Sequence, residues 1–233
     1  MKTLLTCLVS LLLLTITILP LHAQQAPFYS EIMAFKKQDS IAFPPKNAIL
    51  LVGSSSFRKW QDVQSYFPNY SIINRGFGGS VLTDVIHYAN DIIIHYHPKQ
   101  VLVYCGDNDL ASSDTITPAI VTRRFKQLFY IIRGKLPAAT ITYVSIKPSP
   151  SRQQLMSKMI ETNSMVANFL KSQKNTSFID VFHPMLLPNG RAIPEIFLSD
   201  SLHMNEKGYA IWKKAIEPKL IKLPASWKKA TSL

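Results

Sequence analysis

The chain has 233 residues, of which 47% are hydrophobic and 17% charged, and it carries a formal net charge of +12. These values fit one domain large enough to bury a substantial core, and they exclude a disordered, repetitive or low-complexity chain. The positive charge forms no basic stripe interleaved with aromatic residues, which argues against a nucleic-acid partner.

Lys2 precedes an apolar run from Leu4 to Leu21, and Ala23 closes it. A short positive start, an apolar middle and a small residue at the cut predict a signal peptide over residues 1–23. The remainder, 24–233, is then a single exported domain, periplasmic or secreted, of bacterial type. An uncleaved anchor is the rival, because the run approaches the ~20 residues of a membrane span. Pro20 and the Leu21-His22-Ala23 end favour cleavage. Cleavage would remove Cys7 and leave Cys105 alone, so the domain must fold without an internal disulfide.

A helix is expected near residues 30–38, packed across a sheet. Short apolar runs follow at 48–52, 71–74, 101–105, 140–145 and 177–181. They are near-continuous rather than alternating, as in strands covered on both faces of a parallel sheet. Helical stripes lie between them. One runs from Val81 to Tyr96 and stops before Pro98; another joins Ile120, Phe125, Leu128 and Ile132; a third joins Leu155, Met159, Val166 and Leu170. A last helix is expected over about 205–216. This alternation predicts a three-layer α/β/α domain with a central parallel sheet of about five strands. Functional residues of such sheets lie beyond the carboxyl ends of the strands.

Four polar clusters fall near such places. Gly53-Ser54-Ser55-Ser56 follows the first run. A glycine allows a sharp turn there, and a serine beyond it either caps a helix or exposes a nucleophilic hydroxyl. Asn74-Arg75-Gly76-Phe77-Gly78-Gly79-Ser80 follows the second. Its glycines let backbone N–H groups approach a ligand, although it lacks the lysine of a phosphate-binding P-loop and the G-x-G-x-x-G spacing. Gly106-Asp107-Asn108-Asp109 follows the third, where an asparagine amide can serve a turn or donate to an oxyanion. Asp200-Ser201-Leu202-His203 precedes the last helix, with a carboxylate placed to hold an imidazole in one tautomer.

Together and in this order, the clusters resemble the SGNH (GDSL-like) hydrolase family over about residues 48–212. The resemblance implies a flavodoxin-like α/β/α sandwich and a serine esterase that needs no metal or nucleotide cofactor. Ser55 matches the family's nucleophile, His203 the base and Asp200 its partner. Ser55, Gly79 and Asn108 match the oxyanion hole. Many relatives have aspartate where Ser54 stands, so this chain departs from Gly-Asp-Ser, and Ser54 and Ser56 compete with Ser55 for the assignment. Gly-Ser-Ser-Ser and the segment Ile146-Lys147-Pro148-Ser149-Pro150-Ser151-Arg152 are similar to an acetylhydrolase-like branch, which makes Arg152 a candidate substrate-binding residue. With export, the resemblance implies O-acetyl groups on a carbohydrate as substrate, with a lipid acyl or acetyl ester second.

Other classes fit less well. Phe57 stands where an α/β-hydrolase elbow needs glycine. His95 and His97 lack a partner cluster of metal ligands. A non-catalytic glycan- or lipid-binding module remains open. Six lysines fall in the last 21 residues, Lys213, Lys214, Lys219, Lys222, Lys228 and Lys229. They read as a solvated helix face and basic tail, or as a contact for anionic membrane or glycan surfaces.

Overall fold

The structure is a computed structural model and describes residues 26–222. The predicted signal segment and the lysines at 228 and 229 lie outside the described residues.

Five parallel strands, β1 (Ile49–Gly53), β2 (Ile72–Gly76), β3 (Gln100–Tyr104), β4 (Thr140–Val144) and β5 (Thr176–Ile179), form one sheet in the order β2-β1-β3-β4-β5. Every residue of β1 and β3 is buried. The reason lies in the two-residue side-chain period of a strand, which sends neighbours to opposite faces. Leu50, Val52, Val101 and Val103 enter one core; Ile49, Leu51, Leu102 and Tyr104 enter the other.

The helices divide between these faces. The first core takes α1 (Tyr29–Ile41) through Ile32, and α4 (Leu82–His87), α5 (Ala89–Ile92), α7 (Pro118–Lys135) and α8 (Met156–Lys171) through longer apolar stripes. The second takes α2 (Ser55–Arg58), α3 (Val63–Tyr66) and α9 (Glu206–Ile216), built around Phe57, Trp60, Tyr209 and Trp212. Between α5 and α7 lies the short α6 (Asp107–Ser112). The result is the three-layer α/β/α sandwich expected from the sequence. Trp60 stacks on Tyr209 at 4.8 Å between ring centroids, and both tryptophans are fully buried. Truncating such a side chain to alanine typically costs about 3–5 kcal/mol.

One expectation needs correction. The stripe from Val81 to Tyr96 is not one helix but α4, α5 and a 3₁₀ turn over Ile94–Tyr96. The hydrogen bonds tighten toward its end, with His97 N–H donating to Ile94 at i−3 rather than i−4. His97 then takes a left-handed conformation at φ 45°. A residue before proline avoids the helical region, and here that break lets the chain turn straight into β3. The stripe reported burial correctly, since Val85, Ala89, Ile92 and Tyr96 are all in the core.

Candidate active site

The three consecutive serines sit where β1 ends. Gly53 has φ +124°, and a Cβ on it would stand 1.9 Å from the Tyr104 carbonyl oxygen. Only glycine makes this turn against β3. The turn is fixed by Ser54 N–H donating to Tyr104 O at 3.0 Å and Phe77 N–H donating to Gly53 O at 3.0 Å. From β2, Asn74 braces it by donating through Nδ2 to Phe57 O at 2.7 Å and Trp60 O at 3.2 Å.

The serines then point to different places. Ser54 is fully buried, and its Oγ accepts from Asn108 Nδ2 at 3.0 Å. Ser56 is buried, with its carbonyl accepting from the Tyr209 hydroxyl at 2.9 Å. Ser55 is partly exposed, and its Oγ lies 3.0 Å from His203 Nε2. Of the three, Ser55 alone is bonded to that imidazole among the described residues.

On the other side of the ring, His203 Nδ1 is 2.6 Å from Asp200 Oδ2. Asp200 Oδ1 accepts the backbone N–H groups of Leu202 at 3.0 Å and His203 at 2.9 Å. The spacing of three therefore closes a small ring in which one carboxylate oxygen holds the loop and the other holds the imidazole. Burial pushes the Asp200 carboxyl up, but the hydrogen bonds from the His203 ring and the two backbone N–H groups outweigh it and hold it well below the usual carboxylate range. Asn205 ends the loop by capping α9, accepting from Lys207 N–H at 3.0 Å. Leu198 N–H donates to His203 O at 2.8 Å and ties the loop's two sides together.

Gly79 and the Asn108 side chain lie next to each other. A Cβ on Gly79 would meet one atom within 4 Å, Asn108 Nδ2 at 3.8 Å. Asn108 Nδ2 also donates to Ser80 O at 3.1 Å, and its Oδ1 accepts from Arg152 Nη2 at 2.8 Å. No protein acceptor among the described residues takes the N–H of Ser55 or Gly79. Both Asn108 amide hydrogens, by contrast, are shared with Ser54 Oγ and Ser80 O.

Three supporting residues lie in segments singled out in the sequence but have no role assigned there. Asp109, fully buried, accepts from Leu82 N–H at 2.9 Å and pairs with Arg124 at 2.7 Å, so it fixes the Gly79 loop to the Asn108 turn. Burial raises its pKa, with Arg124 and the Leu82 N–H acting against that shift. Asn74 braces the serine turn. Lys147 is almost fully buried and donates through Nζ to Leu202 O at 2.8 Å, next to His203. Its burial pushes the ammonium pKa down to about 8.

A second Asp-x-x-His, Asp180 to His183, repeats the same local ring at 2.6 Å after β5. His183 is 74% exposed, and no hydroxyl is bonded to its far nitrogen among the described residues. His95 packs edge-on against Phe43, and no group of three or more metal-ligating acidic, histidine or cysteine residues occurs among the described residues.

Residues 39–211 match the model of the GDSL-like Lipase/Acylhydrolase family. No curated protein matches the chain. Solved structures share the fold at low identity. A protein from Streptococcus pneumonia named for platelet activating factor is 19% identical with a TM-score of 0.73, covering 82% of this chain and 92% of its own. A GDSL-like lipase from Bacteroides thetaiotaomicron is 16% identical with a TM-score of 0.70, covering 81% and 96%. An acetyl xylan esterase from Geobacillus stearothermophilus is 13% identical with a TM-score of 0.61, covering 78% and 98%.

Proposed function

Since the chain belongs to the GDSL-like lipase/acylhydrolase family of ester-bond hydrolases, we propose that it is an exported serine esterase acting on O-acetyl groups of a carbohydrate. The observation that carries the mechanism is His203, which reaches Ser55 at Nε2 (3.0 Å) and Asp200 at Nδ1 (2.6 Å). With its proton on Nδ1, held by Asp200, the imidazole presents a lone pair at Nε2 to the Ser55 hydroxyl. Ser55 Oγ attacks the acyl carbon while His203 takes its proton. The oxyanion is received by the N–H groups of Ser55 and Gly79 and by the Asn108 amide, which exchanges one of its bonds to Ser54 Oγ and Ser80 O for it. His203 returns the proton to the leaving alcohol oxygen. Water, deprotonated by the same nitrogen, then cleaves the acyl-enzyme and frees Ser55.

The acetylated-carbohydrate reading is supported by the predicted exported placement, by the acetyl xylan esterase among proteins of this fold and by the resemblance of Gly53-Ser54-Ser55-Ser56 to an acetylhydrolase branch. A lipid ester is the second reading, favoured by the net charge of +12 and by Lys213 and Lys214 on α9, which suit an anionic surface. The test uses purified full-length protein and its Ser55→Ala variant. Wild type should hydrolyse p-nitrophenyl acetate and the variant should not. Equal rates would remove the serine mechanism. Acetate release from acetylated xylan against long-chain lipid esters then separates the two substrates. Failure on every ester, with retained binding to acidic polysaccharide, would leave a binding module.

A further inference from the structure

Asn108 can help an oxyanion only if its amide points the right way. An asparagine side chain is nearly symmetric in shape, and rotating it by half a turn exchanges a donor for an acceptor. What fixes it here comes from outside its own turn. Arg152 Nη2 donates to Asn108 Oδ1 at 2.8 Å, and Arg152 Nη1 lies 3.1 Å from Asp107 Oδ2. One guanidinium therefore straddles two successive residues of the Gly106-Asp107-Asn108 turn. Asp107 is itself held, accepting from the Tyr104 hydroxyl at 3.2 Å. In the reversed amide, the Asn108 NH₂ would face the guanidinium and its oxygen would face the Ser80 carbonyl, two repulsive pairs in place of two hydrogen bonds.

We infer that Arg152 is a positioning residue for the proposed oxyanion hole, acting through Asn108 rather than by touching substrate. Its side chain is only 14% exposed, with Nη2 hydrogen-bonded to Asn108 and Nη1 in ion-pair range of Asp107 but without a hydrogen-bond partner among the described residues. The segment that carries it is anchored as well. Ser151 N–H donates to Ser201 O at 3.1 Å, and Lys147 Nζ donates to Leu202 O at 2.8 Å. The piece of chain after β4 thus holds the Asp200–His203 loop by two hydrogen bonds and the Asn108 turn by one hydrogen bond and one ion pair. It sets the distance between the proton acceptor and the oxyanion donor, which are otherwise carried by separate loops.

The inference rests on the esterase reading, and a mutant cycle separates the two. Arg152→Gln and Asn108→Ala are made singly and together in the full-length chain, with kcat and KM measured on p-nitrophenyl acetate. Losing one oxyanion donor costs ~10²–10³ in kcat, which is the ceiling for a residue that acts through it. Arg152→Gln should lower kcat about 10–100-fold with KM changed less than about twofold, within that ceiling. In the Asn108→Ala background the same substitution should cost less than about twofold, since nothing is left to orient. A raised KM with kcat preserved would make Arg152 a substrate contact and overturn the inference. Losses that multiply would overturn it too. An Asn108→Ala variant as fast as wild type would instead overturn the oxyanion assignment itself. If Arg152→Gln does not fold, Arg152→Lys carries the same cycle, because it keeps the charge beside Asp107 but lacks the fork that spans both acceptors.

Discussion

Asp200→Asn isolates what the carboxylate does for His203. The Asn oxygen can still accept the Leu202 and His203 backbone N–H groups, now at 3.0 and 2.9 Å, so the loop should keep its shape. Its NH₂ would then occupy the place of Oδ2, 2.6 Å from Nδ1. A donor at that position makes Nδ1 an acceptor and moves the ring proton to Nε2, where it faces Ser55 and cannot receive a second proton. For a buried triad aspartate this change costs ~10⁴ in kcat. Asp200 is 45% exposed, so water screens its field and offers the ring alternative partners. The expected loss is about 10²–10³ in kcat, below that triad figure. Because its hydrogen bonds hold the Asp200 carboxyl below its ordinary range, the stability they add is complete above the unfolded carboxylate pKa near ~3.9 and is lost only as pH falls below it. Between pH 6 and 9, as a range of roughly neutral assay conditions, folding is not limiting on this account. The measurement is kcat on p-nitrophenyl acetate beside a thermal melt of each protein. A variant within about threefold of wild type would refute the tautomer argument, given the far larger loss expected from it.

Gly79→Ala should leave thermal stability unchanged, because its Cβ meets only Asn108 Nδ2 at 3.8 Å, yet it should lower kcat by ~10-fold or more by filling the space in front of that donor; an inactive but also unfolded protein would contradict it. Gly53→Ala should do the reverse, costing about 3 kcal/mol or more in urea unfolding, since its Cβ would stand 1.9 Å from Tyr104 O at φ +124°; an unshifted midpoint would rule out the strained turn. Lys147→Met tests the buried ammonium. Burial holds its pKa at about 8, against 10.5 for the free side chain, so between those values the unfolded chain keeps a proton that the folded chain has lost. Stability should therefore rise with pH across that window in wild type relative to the variant; parallel curves of unfolding free energy against pH would show that Lys147 does not titrate there.

Much of the fold was legible because strands buried on both faces leave a plain trace. The five apolar runs fall within a residue or two of β1 to β5. The displaced boundary at β3 is instructive. The expected run begins at Val101, but Gln100 is a fully buried first strand residue, donating to Thr142 Oγ1 and Lys219 O and accepting from Ile221 N–H. Those partners lie 42 to 121 positions away, and no local pattern announces them. The break in the helix after Val81 was hidden for a related reason. Apolar spacing records which residues face the core, and three short helical pieces can present the same face as one long helix.

The site was legible as a set of clusters and illegible in its wiring. Asp180 to His183 has the same spacing and the same internal ring as Asp200 to His203, so the motif by itself does not single out a base. What separates them is the Ser55 hydroxyl 3.0 Å from His203, a meeting of chain positions 148 apart. Ser54 gives the clearest case of local chemistry decided by distant charge. Its hydroxyl, fully buried, accepts from the Asn108 amide at 3.0 Å. An aspartate there would place a carboxylate against the Asn108 amide, which the proposed reaction needs for the oxyanion. A neutral serine keeps the amide's partner without adding that charge, which is the electrostatic content of the departure from Gly-Asp-Ser.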